Sequence, residues 1–381
     1  MIELPELIDA IVDQVAQTEK WHQEKDRGTL KACALTVRRL LVPSQRHLFQ
    51  SFTLSNHNME NVCAGMLHNP SLASYIRDFC LSMGYGLSES CGQLLVGFFP
   101  LLTRLDRLVI DCGFYHFDSL QPAALTGLFS FPTIRCFGVK DCPGLPPSVI
   151  RHAVAAYEGV AFTNVEIGQE DEYAVSLFPA PPSSWQRLRR LALEPFNHTQ
   201  DGCTLKDFIL SEGIAPFLSN LEHLELRVFK AGSLGGLEGI AHFCCGSIQR
   251  LAIDFFYYPD TDIGPLPIMP AIRVLTLSSC VRRLRLPHAL RSVILSLPTR
   301  MPKLERINVV LDSHIFEYKE HHRPDIDEAL NNLPRLRQLH FTIACHSSSA
   351  IEDSFREALP LAGRAGLLSF ETSFVRDMQG A

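Results

Sequence analysis

The sequence predicts an α/β protein in two parts. A small all-helical module covers residues 1–54, and behind it residues 55–381 form a solenoid that lays its strands side by side in a curved parallel sheet. Three observations predict this. Eleven copies of one phrase recur between Ile76 and Phe370: an apolar residue, two variable ones, an apolar residue, one variable one and a third apolar residue. Helix-like sequence separates the copies. The N-terminal segment differs in kind and carries helical stripes of apolar residues.

That segment opens Leu4-Pro5-Glu6-Leu7-Ile8, and Leu4, Leu7, Ile8 and Ile11 form an i, i+3, i+4, i+7 stripe on one helical face. A polar stretch from Gln17 to Gly28 leads into a second apolar segment, Thr29 to Leu40. The segment closes with Pro43-Ser44-Gln45-Arg46-His47-Leu48-Phe49 and the strand-like Ser51-Phe52-Thr53-Leu54. A domain of about fifty residues has too little interior to bury all its apolar side chains, so part of its surface needs cover from elsewhere. The Leu4-Pro5-Glu6-Leu7 opening, of the Leu-Pro-x-Glu-Leu type, the Leu-Lys-x-Cys-x-Leu-x-x-x-Arg run from Leu30 to Arg39, and the closing Arg46-His47-Leu48-Phe49 resemble the F-box-like module, in particular that of fungal F-box proteins. In that family the module precedes an irregular leucine-rich array. The resemblance implies a Skp-type adaptor as partner and, through it, a cullin ubiquitin ligase. It also implies adaptor contacts at Leu4, Pro5, Leu7, Ile8, Leu30, Leu35, Val37 and Leu40. Leu40 stands where the family commonly has an aromatic residue. The residues by themselves leave open a second reading, in which these side chains pack only on each other and on the first repeat.

The middle residues of the eleven phrases are Phe79, Leu108, Phe137, Val165, Leu191, Leu224, Leu251, Leu275, Ile307, Leu339 and Leu368. Their spacing runs from 24 residues (Leu251 to Leu275) to 33 (Leu191 to Leu224), a period at which no unit buries its apolar face without its neighbours. The last two apolar residues of each phrase are two apart, as on one face of a strand. Between phrases, Ser90 to Leu101, Pro147 to Tyr157, His288 to Leu297, Asp325 to Leu333 and Ile351 to Leu359 carry apolar residues at helical steps. One strand and one helix per unit resembles the leucine-rich repeat, whose pattern continues with two residues and then Asn or Cys. Cys142 and Cys280 meet that slot; Gly113, Phe196, Phe229, Phe256, Asp312 and Ala344 occupy it elsewhere. The resemblance is therefore to a degenerate, leucine-rich-repeat-like solenoid of about eleven repeats.

Composition narrows the function. A net charge of -6 with 20% charged residues gives no electrostatic case for nucleic acid or an anionic membrane. The longest apolar run, Leu94 to Leu102, is too short to span a bilayer, and Met1 to Glu6 lacks the basic start of a signal peptide. The expectation is an intracellular protein, cytoplasmic or nuclear. The twelve cysteines are scattered and sit mostly inside apolar phrases, which reads as buried free thiols.

No catalytic constellation emerges, and no cofactor is implied. Gly232-Ser233-Leu234-Gly235-Gly236-Leu237-Glu238-Gly239 lacks the Gly-Lys-Ser/Thr ending of a phosphate loop and reads as a loop between repeats. His321-His322 and Cys345-His346 lack metal-ligand spacing. Arg282, Arg283 and Arg285 read as a solvated turn. The expectation is that the chain is not an enzyme and holds no metal.

The residues between the apolar ones point out of the sheet, and such open faces bind proteins through their variable positions. Glu194, Glu225, Arg227 and Asp254 fall there in successive repeats. In Asp254-Phe255-Phe256-Tyr257-Tyr258, period two puts Phe255 on the buried face and Phe256 and Tyr258 on the open one, where aromatic residues anchor partners. Phe196, Phe229 and Phe256 also fit an inward aromatic stack. The candidate client-binding set is Glu194, Glu225, Arg227, Asp254, Phe256 and Tyr258. The function expected is substrate recognition for a Skp-cullin-F-box ligase, with a non-catalytic scaffold that does not engage the ligase as the alternative. A βα-barrel enzyme fits poorly, since it needs eight closing pairs and a polar constellation at strand ends.

Overall fold

Strands and helices alternate along the computed structural model, which describes residues 8–14, 16, 28–36, 38–84, 89–115, 133–169, 187–195, 205–211, 214–228, 235–255, 265–280, 288–312, 324–344 and 349–373. The strands are β1 (Ser51–Ser55), β2 (Asp78–Ser82), β3 (Arg107–Asp111), β4 (Cys136–Leu145), β5 (Gly159–Ile167), β6 (Arg190–Pro195), β7 (His223–Val228), β8 (Arg250–Phe255), β9 (Val274–Cys280), β10 (Arg306–Asp312), β11 (Gln338–Ala344) and β12 (Leu368–Ser373). They form a twelve-stranded sheet whose order is the order of the chain, with parallel pairing. This is an α/β, leucine-rich-repeat-like solenoid. Packing divides the chain into two compact units, residues 1–150 with 165–180, and residues 151–164 with 181–381.

In the first unit, helical residues 8–14 and the helices Gly28–Thr36 and Arg38–Gln50 precede the sheet. Val12 and Leu30 are buried among them, and His47 Nε2 lies 2.6 Å from Asp13 Oδ1, tying the third helical segment to the first. Pro43 stands inside Arg38–Gln50, where it removes one main-chain donor from the helix. The strand-like Ser51 to Leu54 is β1, with Phe52 opposite Phe79 and Leu54 opposite Leu81. Gln50 O accepts the Arg77 amide at 2.9 Å, so Phe49, Phe52 and Leu54 make one phrase more than the eleven counted. Phe79, Phe98 and Phe99 fill the space between β2 and the following helix, Glu89–Phe98, with ring centroids 5.8 to 6.3 Å apart. Gly113, in the Asn/Cys slot of its repeat, has φ +57°, and a Cβ there would lie 2.8 Å from Gly84 Cα. Both facts require glycine.

In the second unit the phrases stand in register. Leu191, Leu224, Leu251, Leu275, Ile307, Leu339 and Leu368 form one ladder of partners across β6 to β12. Each strand start also shares an acceptor with the next repeat. Glu158 O accepts the amides of Arg189 and Arg190, Arg189 O those of Glu222 and His223, Glu222 O those of Gln249 and Arg250, and the pattern continues at Gln249, Arg273 and Glu305.

That pattern corrects the fourth phrase. Glu158 occupies the place next to the first apolar residue, so the phrase is Tyr157/Val160/Phe162, all buried, and the expected Phe162/Val165/Ile167 sits five residues too late. The cause is local: Asn164 takes φ 53° inside β5, and this extra residue brings Val165 back to the buried face.

A second correction concerns the glycine-rich segment read as a loop. Gly235–Cys244 is a helix, held by the buried stripe Leu237, Ile240, Ala241 and Cys244. Gly239 lies where a Cβ would run into the Leu210 side chain, so glycine is there for close packing. Helix His288–Arg300 also runs past Leu297, carrying Pro298 in its last turn.

Candidate functional site

Strand register sets the open face in rows. In the second unit the row before the middle apolar residues is Arg190, His223, Arg250, Val274, Arg306 and Gln338. The next row is Ala192, Glu225, Ala252, Thr276, Asn308, His340 and Ser369. It contains short polar bridges, with Asn308 Nδ2 donating to Thr276 Oγ1 at 3.2 Å and His340 Nδ1 lying 2.9 Å from Ser369 Oγ. No ladder of asparagines is present among the described residues.

Three of the expected client-binding residues come together. Arg227 donates from Nη1 to Glu194 Oε2 at 2.7 Å and from Nε to Asp254 Oδ2 at 2.8 Å, bridging β6, β7 and β8. Partial burial acts to lower the Arg227 pKa, but the hydrogen bonds to Glu194 and Asp254 outweigh it and hold the group above its usual value. The guanidinium is therefore committed to its neighbours, and the triad presents one net negative charge. Glu225 is exposed, one row nearer the strand starts. Phe256 and Tyr258 lie outside the described residues, as do Phe196 and Phe229.

His223 sits in the row with the arginines. Burial pushes its pKa down, Arg250 and Arg190 push the same way, and Glu225 opposes them. Sequence reasoning missed Arg190, Arg250 and Arg306 because it took only the positions after each middle apolar residue. The same period-two alternation, carried one step back, places them on the open face. On the first unit's face Lys140 lies 3.8 Å from Asp111 and 3.3 Å from Asp141.

The described cysteines are free thiols. Burial first, and then neighbouring charge, pushes Cys80 up to about 11, and burial with Cys245 pushes Cys244 up to about 12. Such thiols stay protonated and are poor nucleophiles. Among the described residues no helix is long and apolar enough to cross a membrane.

Of the expected adaptor contacts, Leu4, Pro5, Leu7 and Val37 lie outside the described residues. Ile8 and Leu40 are half-buried. Leu30 is only 3% exposed and serves the interior of the helical segment, whereas Leu35 is 87% exposed on the same helix. Ile11, the last member of the N-terminal apolar stripe, is 52% exposed, and Val42, which no motif singled out, is 48% exposed.

No family model matches the chain, and no curated protein matches it. Among solved structures it is similar to a chain of the TLR13-ssRNA13 complex at 14% identity and TM-score 0.37, covering 82% of this chain and 39% of that one. It is similar to a chain of the Rad7 and Elc1 complex in yeast at 13% identity and TM-score 0.36, covering 94% and 92%. It is also similar to a chain of the Toll–Spatzle complex of Drosophila at 11% identity and TM-score 0.35, covering 80% and 42%. Likenesses this remote carry no argument about function; the fold rests on the strand register itself.

Proposed function

We propose that this chain is a substrate-recognition subunit of a Skp-cullin-F-box ubiquitin ligase. It binds the adaptor through its N-terminal helices and a protein client on the open face of its repeats, and it performs no chemistry of its own. The observation that carries the reading is the exposure of Leu35, 87%, within the Leu30 to Arg39 run that resembles the F-box-like module. Ile11 and Val42 add exposed apolar surface on the helical segments before and after it. Apolar side chains left open on a small helical module favour a partner that covers them.

The test is capture of a purified Skp-type adaptor, and of a cullin through it, by the full-length chain. Leu35→Asp is expected to leave the circular dichroism spectrum and the melting temperature unchanged, because an exposed position costs little to charge. It is expected to weaken adaptor capture by more than about tenfold, since a charge would then be buried without a partner. Failure of the wild-type chain to capture the adaptor selects the scaffold that does not engage the ligase.

A further inference from the structure

We infer that the strand-start edge of the open face in the second unit receives an extended acidic segment of a partner protein, with Arg190, Arg250 and Arg306 as its carboxylate receptors. The inference rests on the reading that this face takes a protein client, and it specifies the chemistry of what is taken.

The register places the three arginines on alternate strands. Arg190 of β6 pairs with His223, His223 with Arg250 of β8, Arg250 with Val274, and Val274 with Arg306 of β10. Adjacent strands lie about 4.8 Å apart, so successive arginines are spaced by roughly 10 Å. An extended chain in the polyproline II conformation has three residues per turn and rises about 3.1 Å per residue, so it covers about the same distance in three residues and returns every third side chain to one face. Acidic side chains at every third position of a segment running across the strands therefore meet one guanidinium each.

The arginines are suited to this. All three are exposed, and among the described residues none of them is in an ion pair. The arginines one place earlier are instead neutralised within the protein, Arg189 by Glu222 at 3.3 Å and Arg273 by Glu305 at 3.7 Å. A guanidinium fork grips a carboxylate through two parallel hydrogen bonds, which gives direction as well as charge. Acidic groups gather at the other end of the strands, in Glu194, Asp254 and Glu371, about 13 Å from the arginine row for a four-residue step. This segregation fixes which edge the acidic segment takes. Glu225, which lies in the next row on β7 between Arg190 and Arg250, opposes the ligand and supplies an internal control. A phosphate polymer is the weaker fit, because it would lay continuous charge across Glu225 between Arg190 and Arg250, whereas an acidic segment can carry uncharged residues there.

The experiment is fluorescence anisotropy on the full-length chain with labelled Gly/Ser peptides carrying Glu at every third residue, the same number of Glu in one block, or Lys at every third residue. Unlabelled oligothymidylate serves as competitor. The spaced-Glu peptide is expected to bind best. Arg250→Glu is expected to weaken it by roughly tenfold or more, Arg250→Gln less, and Glu225→Gln to strengthen it severalfold. Melting temperatures are expected to stay unchanged in all three variants, and Arg250→Gln carries the test if Arg250→Glu fails to fold. Equal binding of the blocked peptide, binding indifferent to Arg250, or displacement by oligothymidylate better than by peptide overturns the inference. Preference for the Lys peptide overturns the acidic chemistry and leaves the face a protein-binding surface. Binding of neither peptide overturns the inference alone, while adaptor capture decides the ligase separately.

Discussion

Asp327 is a fully buried carboxylate whose work is done in the next repeat. Its Oδ2 accepts the Leu361 amide at 2.7 Å and its Oδ1 the Ala362 amide at 3.0 Å, capping the helix Pro360–Arg364. Asp327→Ala leaves two inward amides without acceptors and is expected to cost about 1–3 kcal/mol in chemical denaturation. Two histidines carry a pH dependence. Burial depresses the pKa of His152, and burial followed by Arg250 and Arg190 depresses that of His223. In the unfolded chain each takes a proton near its ordinary value of about 6.5, while the folded chain resists it, so the unfolded state binds more protons as the pH falls through that value. Melting temperature is expected to drop on acidification below about pH 6.5, and His152→Gln with His223→Asn to flatten the drop. A melting temperature that rises on acidification, or one as steep in the double variant, contradicts this account.

The strand ladders set the stakes for single elements. Leu251 is buried in β8 between Leu224 and Leu275, and Leu251→Ala is expected to cost roughly 2–5 kcal/mol by opening a cavity that flanking repeats fill only in part. These ladders were legible in the sequence because a strand repeats its apolar side chains at a fixed offset of two. The breaks in legibility have local causes. The fourth phrase was displaced because Asn164 adopts a left-handed conformation that no apolar pattern announces. Helix Gly235–Cys244 was hidden by glycines, although Leu237, Ile240, Ala241 and Cys244 already spelled its stripe. Helix Met59–His68, with Met59, Cys63 and Met66 buried, offered a similar signal that went unread. At the candidate site, alternation put Glu194, Arg227 and Asp254 on one face. It did not say that Arg227 would be consumed by the other two, because closure across three strands depends on side-chain reach. Burial of Leu30 beside exposure of Leu35 likewise depends on how neighbouring helices pack.

At the scale of the whole molecule, a repeat array has no single core, and stability is a sum of local units and their junctions. Leu368 and Phe370 of β12 are only half-buried, while their counterparts Leu275 and Leu277 in β9 are fully covered. Amide hydrogen exchange is expected to appear first in peptides from β12 and last in those from β8 to β10, and uniform exchange across them would show one cooperative block. The junctions themselves are made by main chain: in the second unit the shared carbonyls belong to Glu158, Arg189, Glu222, Gln249, Arg273 and Glu305, residues that are all long and polar but differ in charge. The hydrogen bonds of such a joint do not depend on the sign of the charge that stands there. Unequal recombination can therefore copy or delete a repeat without breaking this main-chain pattern. Over descent the number of repeats is free to drift in whole units, while each survivor keeps the face it had.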